Sequence, residues 1–188
     1  MNLMNKRDAL QIIPRAKAAV TTADVLFHAV ADCELGKVMV ARSAKGVCSI
    51  LLGDSAEELA ADLAGRFPQS ILIASKAAVE DDLAKVLLYI EKPAKGLDLT
   101  LDIRGTPFQR RVWEKLKAIS IGRTVSYMEL ARWLSPFANP RAVARACATN
   151  PIALAIPCHR VVSSNGDLAG YRWGIERKRA LIRKEAAI

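Results

Sequence analysis

Three helix starts between residues 105 and 140 constrain the second half of this chain more than any other feature. Gly105-Thr106-Pro107 offers a hydroxyl at the N-cap and a proline at the first helical position, where its missing N–H costs nothing. Asn139-Pro140 repeats the device, and Ser126-Tyr127-Met128-Glu129 is a capping box in which serine and glutamate satisfy each other's orphan backbone donors. The first helix carries Phe108, Val112 and Leu116 inward, the second runs through Leu134, and the third runs from Pro140 to Ala148 before Asn150-Pro151 stops it. Ser135 to Ala138 separates the last two tightly, which is a helix-turn-helix pattern.

The first half reads differently. Val25–Ala31, Leu35–Ser43 and Gly46–Leu52 are strand-like, and Ala44-Lys45-Gly46 suits a hairpin, so a small antiparallel sheet is predicted. Asp54 or Ser55 caps a helix with Leu59, Leu63 and Phe67 on one side, ended by Pro68 and suited to covering one sheet face. A second helical pattern spans Lys76 to Glu91, Lys92 to Gly96 forms a hinge, and Leu99 to Arg104 alternates apolar and polar. Residues 1–23, interrupted by Pro14, read as a short helix or loose extension. The expected class is α/β of the α+β kind: an extension at 1–23, a sheet-and-helix subdomain at 24–96, and a mainly helical subdomain at 97–188. With 188 residues, 52% of them hydrophobic, the chain is long enough for a real core.

Charge divides the halves again. The formal net charge is +9, yet residues 100–188 hold 16 Lys and Arg against 6 Asp and Glu, a net +10, while residues 1–99 come to −1. Such asymmetry fits a face for a polyanion such as nucleic acid, and equally a solvated basic surface. The third helix sets arginines among alanines, which permits close approach to a groove and, just as simply, close helix packing. The cysteines at 33, 48, 147 and 158 form no Cys-x-x-Cys pair, and His28 is the only histidine besides His159. Neither a metal site nor a disulfide framework is expected, no cofactor is indicated, and a reduced cytoplasmic setting fits. No apolar run reaches the length of a membrane helix, so no membrane partner is expected.

Chemistry concentrates in Ile156-Pro157-Cys158-His159-Arg160-Val161-Val162. A cysteine attacks as thiolate, and a thiol of ordinary pKa needs a nearby base or positive charge to reach that form at neutral pH. Pro157 and the two valines favour an extended, mostly buried presentation. Neighbouring side chains on such a segment point opposite ways, so a bridging water or a bend at the proline has to connect Cys158 with His159. The plain alternative is a small buried cysteine beside a satisfied core histidine. On the last helix, Ile175 to Ala186, Glu185 follows Leu181 and Ile182 on an apolar edge, where an unpaired carboxylate is costly; a surface glutamate near a frayed end is the alternative.

From Asn150-Pro151 through this run to Asn165-Gly166, Gly170-Tyr171-Arg172-Trp173-Gly174 and Arg183-Lys184-Glu185, the chain resembles the O6-alkylguanine-DNA alkyltransferases. The resemblance begins near Ala29 and reaches the C-terminus. It implies a ribonuclease H-like first subdomain and a winged-helix-like second one. It also implies an activity: irreversible, stoichiometric transfer of the alkyl group from O6-alkylguanine, and from O4-alkylthymine, in double-stranded DNA to the protein's own cysteine, by a monomer. Cys158 is then the acceptor, His159 takes its proton through water, and Glu185 orients and charges the imidazole. Tyr127 corresponds to the base-flipping tyrosine, Asn150 to the asparagine tying recognition helix to active-site strand, and Tyr171 to a wall of the base pocket. The carbonyls of Cys158 and Val161 would accept the guanine amine, and backbone N–H near Arg172 would serve O6. Arg141 matches the intercalating finger, but Pro140 directly precedes it where the family has a Pro-Lys/Arg pair several residues earlier, so Arg145 is also a candidate. A lesion-binding sensor or regulator without chemistry is the competing function, and a cysteine hydrolase a more remote one.

Overall fold

The computed structural model describes residues 24–168 and 170–188; the predicted 1–23 extension lies outside them. Four strands, β1 (Val25–Cys33), β2 (Gly36–Ser43), β3 (Gly46–Gly53) and β4 (Ile71–Ala74), form one sheet in the order β3-β2-β1-β4. The hairpins β1–β2 and β2–β3 are antiparallel, with a bulge at Ala41/Arg42. β4 corrects the expectation of a purely antiparallel sheet, because it pairs parallel to β1, Val25 opposite Ile71. Helix α1 (Ala56–Arg66) lies between β3 and β4 and returns the chain in the same direction, as a parallel pairing requires. Ile71-Leu72-Ile73-Ala74 is too short and too uniformly apolar to show a strand period. Ser55 is the α1 N-cap, its side chain accepting from Glu58 N–H. Helix α2 (Lys76–Glu91) packs across β1 and β2 with Val79, Leu83, Val86, Tyr89 and Ile90 buried.

All three predicted caps form in the second half. Thr106 and Gln109 close a capping box on α3 (Pro107–Lys117), Ser126 and Glu129 one on α4 (Tyr127–Leu134), and Asn139 caps α5 (Pro140–Ala148). Helices α3, α4 and α5 pack on one another through Val112, Trp113, Leu116, Leu130, Val143 and Ala146. Helix α6 (Ile175–Glu185) closes the chain.

The two halves join at the outer edge of β3, all eight residues of which are buried. An edge strand left open invites pairing. Here Val47 exchanges bonds with Thr100 O and Asp102 N–H, and Ile50 with Pro151 O and Ala153 N–H. The alternating Leu99–Arg104 run therefore becomes one bridge at Leu101, not a full strand. The contact at Ile50 anchors the segment leading from α5 to Cys158.

Candidate active site

Pro157, at φ −79° and ψ 64°, sits in an inverse γ-turn closed by Cys158 N–H on Ile156 O at 2.8 Å. The chain then coils into one 3-10 turn over Cys158–Arg160, and only Val161–Val162 form a strand, β6, parallel to β5 (Val125–Ser126). The extended presentation expected for the thiol is thus corrected: the chain does bend at the proline, but the bend brings Cys158 and His159 into no direct hydrogen bond. Leu154, buried at φ 67°, is the only described non-glycine residue in the left-handed region; it folds the approach so that Ile156 N–H reaches Ile152 O.

That loop wraps around Asn150. Its Oδ1 accepts from Ile152 N–H at 2.9 Å, and its Nδ2 donates to Ile156 O at 2.8 Å and to Cys158 Sγ at 3.3 Å. Asn150 is fully buried, and Thr149, not Asn150, is the α5 C-cap. Burial pushes the Cys158 thiol up to about 11, while the Asn150 hydrogen bond and the positive charge of Lys178 act against it.

His159 is fully buried and binds Glu185 Oε1 through Nε2 at 2.8 Å. Its Nδ1 is buried with no protein partner, so Cys158 and His159 share no direct hydrogen bond. Glu185 also accepts from Arg160, Nε to Oε2 at 2.8 Å and Nη2 to Oε1 at 2.9 Å, and from Tyr89 Oη at 3.0 Å. Burial alone would raise this carboxyl, but the His159 and Arg160 hydrogen bonds overcome it and hold the group at about 2. Burial lowers the His159 pKa, against the pull of Glu185. At neutral pH the pair is therefore a neutral imidazole on an ionised carboxylate.

A pocket of about 420 Å³ opens over the sulfur, lined by Tyr127, Cys147, Cys158, Tyr171, Arg172 and the small α5 residues Ala144 and Ala148. Tyr127 is the first residue of α4, and burial pushes its hydroxyl up to about 12. Tyr171 stands edge-on to Trp173, centroids 5.2 Å apart, and to His159 at 6.5 Å. A larger groove of about 670 Å³ runs along another face of α5, between it and the start of α3, and holds both Arg141 and Arg145. Among the described residues, no group of three or more His, Cys, Asp or Glu side chains is placed to hold a metal ion.

Comparison with known proteins agrees with this geometry. A family model, 6-O-methylguanine DNA methyltransferase, DNA binding domain, matches residues 107–187. The methylated-DNA–protein-cysteine methyltransferase of Candida albicans is 35% identical over a 170-residue alignment that covers 85% of this chain and 96% of that protein. This chain belongs to the methylated-DNA–protein-cysteine methyltransferase family. It is also 45% identical over 159 residues to the bifunctional transcriptional activator/DNA repair enzyme Ada of Escherichia coli, covering 85% of this chain but only 45% of that protein. The solved structure of Mycobacterium tuberculosis OGT in complex with DNA superposes with a TM-score of 0.74 at 30% identity, over 86% of this chain and 93% of that one.

Within this methyltransferase fold, Cys158, His159, Glu185, Asn150, Tyr127 and Tyr171 do come together. Arg141 and Arg145 do not reach the pocket. The Val161 carbonyl accepts from Lys178 Nζ at 2.6 Å and that of Cys158 from Val161 N–H, so each is already engaged once. The Arg172 side chain turns outward to Asp62 of α1. Sequence reading missed four contributors: Arg160 and Tyr89 on Glu185, Lys178, and Cys147 in the pocket wall. Only Lys178 left a signal: it precedes Leu181 by three positions and Glu185 by seven, which puts a lysine on the buried stripe of α6.

Proposed function

We propose that this protein repairs double-stranded DNA by transferring the alkyl group of O6-alkylguanine, and of O4-alkylthymine, irreversibly to Cys158. The observation that carries this reading is a buried thiol at the base of a pocket, hydrogen-bonded by Asn150 and adjacent in sequence to a buried His159–Glu185 pair. The thiol is protonated at rest, and His159, held neutral by burial, is ready to take that proton through a water molecule. Ionised Glu185 stabilises the imidazolium, and the charge of Lys178 favours the thiolate. Sulfur then attacks the alkyl carbon in line. The S–C bond forms as the C–O bond breaks, and the guanine leaves with its oxygen hydrogen-bonded or protonated. The thioether is stable, so each molecule reacts once. In this reading the protein acts as a monomer.

In this reading α4, the break at Ser135–Asn139 and α5 act as a helix-turn-helix. Helix α5 lies against the duplex, Tyr127 and an α5 arginine help turn the lesion out, and Ala144 and Ala148 leave room for it. Incubation with duplex DNA containing O6-methylguanine, followed by peptide mass spectrometry, tests the whole reading. One methyl group per protein, confined to the Cys158 peptide and absent in Cys158→Ala, is expected. Methylation at Cys33, Cys48 or Cys147, or product beyond one equivalent, defeats it.

A further inference from the structure

The wall of the pocket is held from outside the helical half. Tyr171 and Arg172 sit on a turn between Gly170 and Gly174, which take φ of 56° and 96°, and the turn is closed by Gly174 N–H on Tyr171 O at 3.0 Å. It belongs to no helix or strand. Two arginines tie it to the sheet unit. Arg172 Nη2 donates to Asp62 Oδ1 on α1 at 2.5 Å, and Arg66 Nε braces the same oxygen at 3.1 Å from one turn further along. On the other flank Arg177 donates to Trp173 O at 2.9 Å, to Leu35 O at 2.7 Å and to Asp54 Oδ1 at 2.5 Å. Tyr171 packs edge-on to Trp173 between these ties, so displacing the turn displaces the pocket wall.

We propose that Asp62 is a positioning residue for alkyl transfer: from α1 it holds Arg172, and through it sets where Tyr171 places the lesion against Cys158. The inference rests on the functional reading above. A partly exposed ion pair contributes little to global stability, so its loss shows in pocket geometry and not in folding. Misplacement of a reacting group by about 1 Å costs up to about a hundredfold in rate.

The full-length protein, Asp62→Ala and Asp62→Glu are compared in two ways. The first is single-turnover methyl transfer over a range of O6-methylguanine duplex concentrations. The second is labelling of each cysteine by a bulky aromatic disulfide, mapped by mass spectrometry. Asp62→Ala is expected to lose about tenfold in limiting rate with half-saturation by DNA within about twofold of wild type. Its Cys158 should be labelled faster because the wall has loosened, while Cys48, deep in the sheet unit, keeps its wild-type rate. Asp62→Glu should restore both. Wild-type transfer together with wild-type Cys158 labelling in Asp62→Ala overturns the proposal, and so does labelling of Cys48 that rises in step with Cys158. If the wild-type protein itself transfers no methyl group, the alkyl-transfer reading fails, and labelling alone still decides the clamp.

Discussion

Burial raises the pKa of all four thiols of this chain, and Cys158 is set apart by what opposes it. Cys48 and Cys147 lack the asparagine donor that reaches the Cys158 sulfur. Lys178 is fully buried and fixed by the carbonyls of Val161 at 2.6 Å and Gly170 at 3.1 Å; burial lowers its own pKa, and its charge opposes the rise at Cys147 as well as at Cys158, so the asparagine donor is what distinguishes Cys158. Since a cation favours the thiolate, Lys178→Met should move the rise in Cys158 alkylation by iodoacetamide to higher pH. Rates measured from pH 6 upward (on the order of 1 unit apart or less, a spacing fine enough for typical pKa shifts) check this; an unchanged or lowered midpoint would remove Lys178 from the chemistry. The residue types at Cys158, His159 and Glu185 were legible in the sequence because a thiol, an imidazole and an apolar-edge carboxylate are each chemically conspicuous. The Asn150–sulfur contact was not, since it depends on the left-handed Leu154 and the γ-turn at Pro157, neither of which those side chains advertise.

Helix α5 presents two faces to two cavities: Ala144, Cys147 and Ala148 look into the pocket over the thiol, and Arg141 and Arg145 into the neighbouring groove. The two arginines lie one turn apart, so the finger role is separable by kinetics. Extruding a base costs a few kcal/mol that free O6-methylguanine does not require. Arg141→Ala should therefore slow repair of duplex DNA by about tenfold or more while leaving the free-base reaction near wild type, whereas Glu185→Gln should slow both. Single-turnover rates on the two substrates make the comparison. Equal losses for Arg141→Ala on both would refute its finger role, and a duplex-only loss confined to Arg145→Ala would move that role one turn along α5. Element boundaries here were readable to within a residue or two because caps and prolines act locally: Thr106, Ser126 and Asn139 all serve as foreseen. β4 escaped because pairing with β1 depends on where α1 delivers the chain, and no local pattern encodes that.

At the scale of the whole molecule, the helical half is completed by the sheet half. β3 lends its edge to the segments at Thr100–Asp102 and Pro151–Ala153, and Tyr89 reaches from α2 to Glu185. This buried network makes stability depend on acid. The Glu185 pKa is lowered to about 2 in the folded state, so its contribution is present above the ordinary value of 4.5 and is lost as pH falls through about 2. His159, lowered from 6.5 by burial, acts in the same direction, because the folded state resists the proton that the unfolded chain takes up below 6.5. Denaturant unfolding between pH 7 and about 2 should show stability falling in these two windows, by about 3 kcal/mol for Glu185. Glu185→Gln should be about 3–5 kcal/mol less stable at pH 7, since Arg160 loses its counter-charge, and should show a flatter acid limb. An acid limb unchanged in that variant would place the titration elsewhere. By itself the sequence determined the helices with their caps, the hairpins, the basic second half and the identity of the thiol and its neighbours, because each follows from local sterics, periodicity or side-chain chemistry. Only the tertiary structure decided that β4 runs parallel to β1, that Asn150 donates to the sulfur, and that Asp62 and Tyr89 bond to Arg172 and Glu185 of the other half. Those are contacts between residues up to 110 positions apart, set by how two packed units share the edge of β3.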